Sequence, residues 1–295
     1  MTGKVTRPPK VSVVVPHYQD LEGLDRCLDA LSRQTYPARD FEIVVADNNS
    51  PAGVAAVEQL IAGRARLTVV TEKGAGPARN GGVAASQGAQ LAFTDSDCVP
   101  DPEWLAEGLA RLESFDLVGG RMLVLVGDAA HMTGAEAFEV VFAFDNASYV
   151  NRKGFTVTAN LFCARSVFDA VGGFKVGVSE DLEWGLRARG LGYRIGYADR
   201  AVVGHPARRT WPELKRKWER LSAETFGLVA SAPGGRARWL LRAFALPLSA
   251  LAHTPKVLGS PALPGGRSRL AALVVLYRLR TWRFVDALRL LGRRG

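Results

Sequence analysis

Apolar residues change their spacing in a regular way along the first hundred positions. Val11-Ser-Val-Val-Val15 is a short β-branched run that suits a buried parallel strand, and Pro16 marks its expected end. From Leu21 to Leu31 the apolar positions (Leu21, Leu24, Cys27, Leu28, Leu31) keep helical spacing until Tyr36-Pro37 interrupts them. Phe41 to Ala46 reads as a second strand, closed by the turn-forming Asp47-Asn48-Asn49-Ser50-Pro51. Val54 to Ile61 predicts a helix, Leu67 to Thr71 a strand, and Pro77 to Gln87 a helix with Pro in its first turn. Leu91 to Thr94 makes a fourth strand that runs into Asp95-Ser96-Asp97. This alternation predicts a parallel sheet with helices on both faces. Ligands of such sheets bind beyond the carboxyl ends of the strands, where His17, Asp47 and Asp95 fall.

Farther on the pattern is less regular. Leu117 to Val126 predicts a strand pair, Gly134 to Asn151 an aromatic-rich and partly helical stretch, and Thr156 to Cys163 an extended segment. Glu180 to Arg189 predicts a short helix with acids at its start, arginines at its end and Gly190 after it, all favourable to the dipole and cap. Tyr193 to Val203 holds one or two strands. After Trp211 come basic helices bearing Trp218, Trp239 and Trp282. The expected division is a catalytic domain over residues 1–210 and a basic helical extension over 211–295.

Charge sharpens this division. The chain of 295 residues is 47% apolar and 23% charged, enough for one large α/β core and inconsistent with disorder as its main state. Its net charge of +9 is unevenly spread: residues 1–200 carry 20 Lys/Arg against 25 Asp/Glu, whereas residues 201–295 carry 18 against four. A basic tail on an acidic body points to an anionic partner. Cys27, Cys98 and Cys163 show neither metal-ligand spacing nor a disulfide framework, which fits a reducing cytoplasm. Met1 to Lys10 leads into only five apolar residues, too few for a signal-peptide core. No uncharged apolar stretch of about 18 residues predicts a spanning helix.

Asp95-Ser96-Asp97 is the sharpest candidate for chemistry. Two carboxylates at i and i+2 just past a buried strand can be aimed at one point, as a hard divalent cation requires, although an isolated pair is more often a plain turn. Asp47 at the neighbouring strand end could accept a hydrogen bond from a uracil imide or a ribose hydroxyl, or simply form an Asx turn. Gly74-Ala-Gly-Pro-Ala-Arg79-Asn80 opens a helix but matches neither a dinucleotide fingerprint nor a P-loop; Arg79 suits a structural ion pair beneath a nucleotide. Glu180-Asp181 offers a general base for an attacking hydroxyl, while acids at a helix start also suit the dipole alone. His205 is a candidate metal or phosphate contact, or a structural histidine. Hydrolase and zinc-protease motifs are missing.

Taken in order, Val11 to Tyr18, Cys27 to Pro37, Phe41 to Ser50, Gly76 to Asn80, Ala92 to Trp104, Thr158 to Phe162, Val171 to Phe174 and Glu180-Asp181 resemble family 2 glycosyltransferases with the GT-A fold. The resemblance covers roughly residues 10–206. It implies an inverting transferase that uses a nucleotide-diphosphate sugar and Mg²⁺ or Mn²⁺, on a Rossmann-like mixed sheet flanked by helices. By resemblance Pro16, His17 and Asp47 line the nucleotide-base pocket, Asp95 faces ribose or metal, Asp97 ligates the metal and Asp181 is the base; Asn80 is a further donor-binding candidate and His205 a third metal candidate beside them. Asn160 and Glu180 fall near the sugar or acceptor. His17-Tyr18-Gln19 stands where Thr-Tyr-Asn is usual, and Asn48-Asn49 where Asp-Gly is often found, which bears on the base preference. The Q-x-x-R-W motif of the polymer synthases becomes Leu214-Lys-Arg-Lys-Trp218, so single-sugar addition is expected, with a UDP-sugar as first choice of donor.

The tail, Trp239 to Ala252 and Leu270 to Leu291, is apolar or amphipathic and interrupted by Arg242 and Pro247. Such helices lie in a bilayer interface or pack on the body or on a second copy of the chain. The reading is a cytoplasmic protein on the inner face of the cell membrane, with a hydroxyl acceptor that could be lipid-linked, in cell-surface polysaccharide or glycolipid synthesis. The competing class is a non-catalytic nucleotide-sugar scaffold or sensor. Nucleic acid ranks last as a partner, since the tail lacks a recognised binding module.

Overall fold

The computed structural model describes residues 9–292; most of the polar N-terminal segment Met1 to Lys10 lies outside them. Strand β1 (Val11–His17) is buried along its whole length, as a strand covered on both faces and flanked on both sides must be. It keeps Pro16 and His17 within the ladder, beyond the expected stop, paired with Ala46 and Asp47 of β2 (Phe41–Asp47). Between them α1 (Leu21–Ser32) is capped by Asp20, whose side chain accepts from the Gly23 amide at 2.8 Å, and buries Leu24, Cys27, Leu28 and Leu31. The alternation continues through α2 (Val54–Ile61), β3 (Arg66–Val69), α3 (Ala75–Ala85) and β4 (Gln90–Phe93). Helix α3 lies close on the sheet because Gly82 has no side chain: a Cβ there would sit 2.5 Å from Val14 Cγ1.

The remaining strands are β5 (Val99–Pro100), β6 (Leu117–Leu125), β7 (Leu161–Ala164) and β8 (Ile195–Pro206). Helix α4 (Trp104–Leu112) precedes β6, and α5 (Gly134–Phe142) and the short α6 (Asn146–Ser148) follow it. Helices α7 (Arg165–Val171) and α8 (Glu180–Gly190) separate β7 from β8. Then come α9 (Trp211–Ala230), α10 (Gly235–Leu258) and α11 (Gly266–Gly292).

The eight strands lie in the order β3-β2-β1-β4-β7-β6-β8-β5. Pairing is parallel from β3 to β4, as the alternation predicts, and turns antiparallel at β7, which pairs with both β4 and β6. The sheet is therefore mixed. Leu117 to Val126 forms one strand rather than a pair, and the stretch around Thr158 is a 3₁₀ turn leading into β7. Helices α4 and α7 have no counterpart in the sequence reading. Their buried faces (Trp104, Leu105, Leu109; Val167, Phe168, Val171) fit short helices flanked by strand-like apolar residues.

The chain divides into two compact units. The first comprises the chain through Leu123, Asp145–Val176 and Glu180–His205. One of its cores joins Val14, Leu91 and Phe93 to Phe168, Phe174 and Trp184. The second comprises Val124–Phe144, Gly177–Ser179 and the chain from Pro206 onward, so it is wider than the 211–295 extension expected from composition. Helix α5 belongs with it because Ala135, Phe138 and Val141 bury against a cluster containing Ala272, Leu276 and Leu279. Within this unit Glu139 is buried between Arg208 and Lys217, at 3.1 and 2.8 Å. Its helices leave Leu241, Phe244, Leu248 and Leu251 exposed, and no helix among the described residues is long and apolar enough to cross a membrane.

Candidate functional site

The polar candidates of the first unit form two main clusters, one where β1 and β2 end and one around the turn after β4. The in-register pairing of His17 with Asp47 makes their side chains neighbours. His17 Nδ1 donates to Asp47 Oδ1 at 2.8 Å with both side chains inaccessible to solvent. Asp47 also accepts from the Ser50 hydroxyl at 2.5 Å and the Ser50 amide at 3.0 Å. Burial opposes its charge, but the Ser50 and His17 contacts outweigh that and hold its carboxyl below the usual range. Both oxygens of Asp47 thus face inward partners. His17 Nε2, by contrast, is buried with no hydrogen-bond partner. Asn48 clips the strand end to the next loop: its amide donates to the Val70 and Glu72 carbonyls and accepts from Gly74 N.

The second cluster is built around Arg79, on the buried face of α3 and only 3% exposed. Nη2 donates to Asp95 Oδ1 at 2.5 Å and Nη1 to Glu180 Oε1 at 3.0 Å. One guanidinium therefore brings together the turn after β4 and the start of α8. Burial works against its charge, but Asp95, Asp181 and Glu180 prevail and hold the group firmly cationic. Asp181 Oδ1 accepts from the Thr158 hydroxyl at 2.7 Å and its amide at 3.2 Å. Burial first, and then the Glu180 charge, push the Asp181 carboxyl up to about 6 against the pull of Arg79 and Thr158.

Asp95, Asp97 and Cys98 offer ligand atoms that all lie within 4.8 Å of one another. Antiparallel pairing of β5 with β8 (Val99 with Gly204) sets His205 beside the turn, its Nε2 3.5 Å from Asp97 Oδ2. Two carboxylates with an imidazole suit Mg²⁺ or Mn²⁺. Cys98 is a poor third ligand, because burial and then Asp95 and Asp97 hold its thiol protonated. The residues present fit a divalent cation.

Other residues chosen from sequence take positions with their side chains committed elsewhere. The Asn80 amide exchanges two 2.8 Å bonds with the Phe174 backbone, anchoring α3 to that loop. Asn160 is fully buried, accepting from Trp104 Nε1 at 2.9 Å and donating to the Arg121 and Ala201 carbonyls. Pro16 is buried within β1. Two residues carry more than sequence reading assigned them. Thr158 touches Asp181 directly, and Arg79 is the shared counter-charge of both acid clusters. Gln34 and Thr35, within the Cys27 to Pro37 motif, bond the Asp101 and Pro102 carbonyls and Leu105 N, and so fix the loop after β5.

Three comparisons bear on this geometry. The family model "Glycosyl transferase family 2" matches residues 12–183. Glycosyltransferase AglE of Haloferax volcanii is 32% identical over 218 residues, covering 71% of each chain. Validoxylamine A glucosyltransferase of Streptomyces hygroscopicus is 35% identical over 114 residues, 37% of this chain and 27% of that one. Among solved structures, the mannosyltransferase PcManGT of Pyrobaculum calidifontis, in complex with GDP-Man and Mn²⁺, superposes with a TM-score of 0.59 at 20% identity, over 97% of this chain and 86% of that one. S. aureus TarS with UDP-GlcNAc gives 0.52 at 17% identity, over 96% and 89%. The mixed sheet with its flanking helices is the GT-A fold.

Replacing Arg79 by Met would leave three carboxylates without their common cation. Urea denaturation at pH 7 should register a loss of about 3 kcal/mol, the order expected when one partner of a buried ion pair is removed. The loss should shrink at pH 5, where Asp181 takes up a proton. An equal loss at both pH values would show that the guanidinium acts by packing alone.

Proposed function

Because the chain belongs to glycosyl transferase family 2, we propose that it transfers a single sugar with inversion from a nucleotide-diphosphate sugar to a hydroxyl acceptor. The observation that carries this reading is the Arg79 bridge, which joins the Asp95-Ser96-Asp97 turn to the Glu180-Asp181 pair. Donor-side and acceptor-side acids thereby share one counter-charge. Asp95, Asp97 and His205 would hold Mg²⁺ or Mn²⁺, which when bound supplies Lewis-acid stabilisation to the departing nucleoside diphosphate. Asp181 takes the proton of the acceptor hydroxyl as its oxygen attacks the anomeric carbon. The two bonds from Thr158 to Oδ1 fix the carboxylate's rotamer and leave Oδ2 for that proton.

The nucleobase would lie over the strand ends that carry His17 and Asp47. Both side chains are closed off from solvent and the Asp47 oxygens are taken by Ser50 and His17, so the pair would shape the pocket from beneath instead of bonding the base directly; a UDP-sugar is the first donor to test. Leu214 is fully buried and Trp218 lies under Arg283, so the Leu214-Lys-Arg-Lys-Trp218 segment serves helix packing, which supports single addition over polymerisation. The stripe Leu241, Phe244, Leu248 and Leu251, exposed by 57% or more on a basic helix, supports a peripheral place on an anionic membrane and a lipid-linked acceptor in cell-surface glycan synthesis.

Asp97→Asn should stay folded and lose Mn²⁺-dependent transfer or donor hydrolysis; unchanged turnover would remove the metal assignment. Asp181→Asn should bind donor normally but transfer about 10²–10⁴-fold more slowly. For the unsubstituted enzyme, kcat/KM should rise with pH through about 6, where Asp181 ionises, and level off above it. A flat profile from pH 5 to 8 would count against this base. Vesicles rich in anionic phospholipid should sediment the protein and release the Leu241→Glu, Leu248→Glu variant; equal retention of both would locate the contact elsewhere.

A further inference from the structure

We propose that Arg242, Arg280 and Arg283 of the second unit form a phosphate-binding site, separate in its residues from the nucleotide-sugar site, that takes either the phosphate of a lipid or free phosphate. Arg283 on α11 is only 7% exposed, and its guanidinium lies 4.0 Å from the centre of the Trp218 ring on α9. Arg280 is one turn earlier on the same helix, and Arg242 on α10 stacks 5.2 Å over Trp239. The three charges feel one another: Arg280 is disfavoured by Arg242, and Arg283 by both. Burial is the larger effect, lowering all three and bringing Arg283 to about 9, with Asp286 as a partial offset. At neutral pH Arg283 therefore remains a cation, desolvated and repelled by its neighbours. Such a cluster costs stability unless an anion joins it.

The hydrogen bonding points the same way. Trp218 Nε1, Arg280 Nε and Arg283 Nε are buried donors with no partner. Native proteins pair the large majority of buried donors, so these three orphans, two of them within the guanidinia themselves, mark a place for an acceptor with several charged oxygens. A phosphate offers three or more such oxygens and up to two charges, whereas a carboxylate offers two oxygens and one. The stacked indoles add apolar walls, and the exposed leucines of α10 lie on one of the same helices, which is where a lipid tail would find cover.

Calorimetric titration of the full chain in EDTA, with inorganic phosphate, farnesyl phosphate and uncharged farnesol as probes, tests this. Farnesyl phosphate or inorganic phosphate should bind, and the Arg242→Gln, Arg280→Gln variant should bind at least about tenfold more weakly. Much tighter binding of farnesyl phosphate than of inorganic phosphate identifies a lipid phosphate as the ligand; comparable binding identifies free phosphate. Asp97→Asn should bind both as the unsubstituted protein does, whatever becomes of sugar transfer. Binding lost in Asp97→Asn, equal binding by the double variant, or farnesol binding as well as its phosphate would each overturn the proposal. Should the double variant lose its cooperative thermal transition, the more exposed Arg242→Gln alone gives the same reading.

Discussion

Three carboxylates, Asp95, Glu180 and Asp181, approach one another at the carboxyl edge of the sheet, and the Arg79 guanidinium makes that approach possible. Without a counter-charge, acids in a partly buried cleft would protonate or move apart. With it, Asp95 and Glu180 are held by direct bonds, while Asp181, bonded to Thr158, feels the arginine through its charge. That difference gives neighbouring acids different characters. Asp95 is tied in place, whereas burial and the Glu180 charge raise the Asp181 carboxyl to about 6.

The fold supplies this arginine with a rigid seat. Glycines at 76 and 82 let α3 press close to the Phe174 loop and to Val14, and Asn80 fastens the same helix to the Phe174 backbone. The neighbouring strand ends are organised by a second buried network, in which Asp47 orients His17 and Ser50 saturates Asp47. The two networks differ in how far their acids are engaged: Asp47 has partners on both oxygens, whereas Asp95 and Glu180 each give Arg79 one.

The helical unit uses charge differently. Glu139 is matched by Arg208 and Lys217 at short range, and its carboxyl stays below the usual range despite burial. Around Arg283 the balance runs the other way, with a cation buried on a tryptophan ring and only partly compensated. A matched site and an excess of charge within one small unit argue that the excess serves a ligand rather than stability.

Local pattern determined a good deal of this protein. The alternation of short β-branched runs with helical spacing announced the parallel half of the sheet, because a strand covered on both faces has few other ways to be written. Strand-end acids marked a candidate ligand edge, and the ordered motifs announced the family. Tertiary structure alone decided the rest. The antiparallel half, β7 with β4 and β6, depends on pairings between residues far apart in sequence, which no local period encodes. The same holds for the site: Asp47 faces Ser50 and His17, Asn160 is consumed by Trp104 and two carbonyls, and Arg79 reaches two distant acids. A residue's type and spacing say what it could bond; which partner it bonds is set by where the packed backbone aims it, and that is a property of the whole fold.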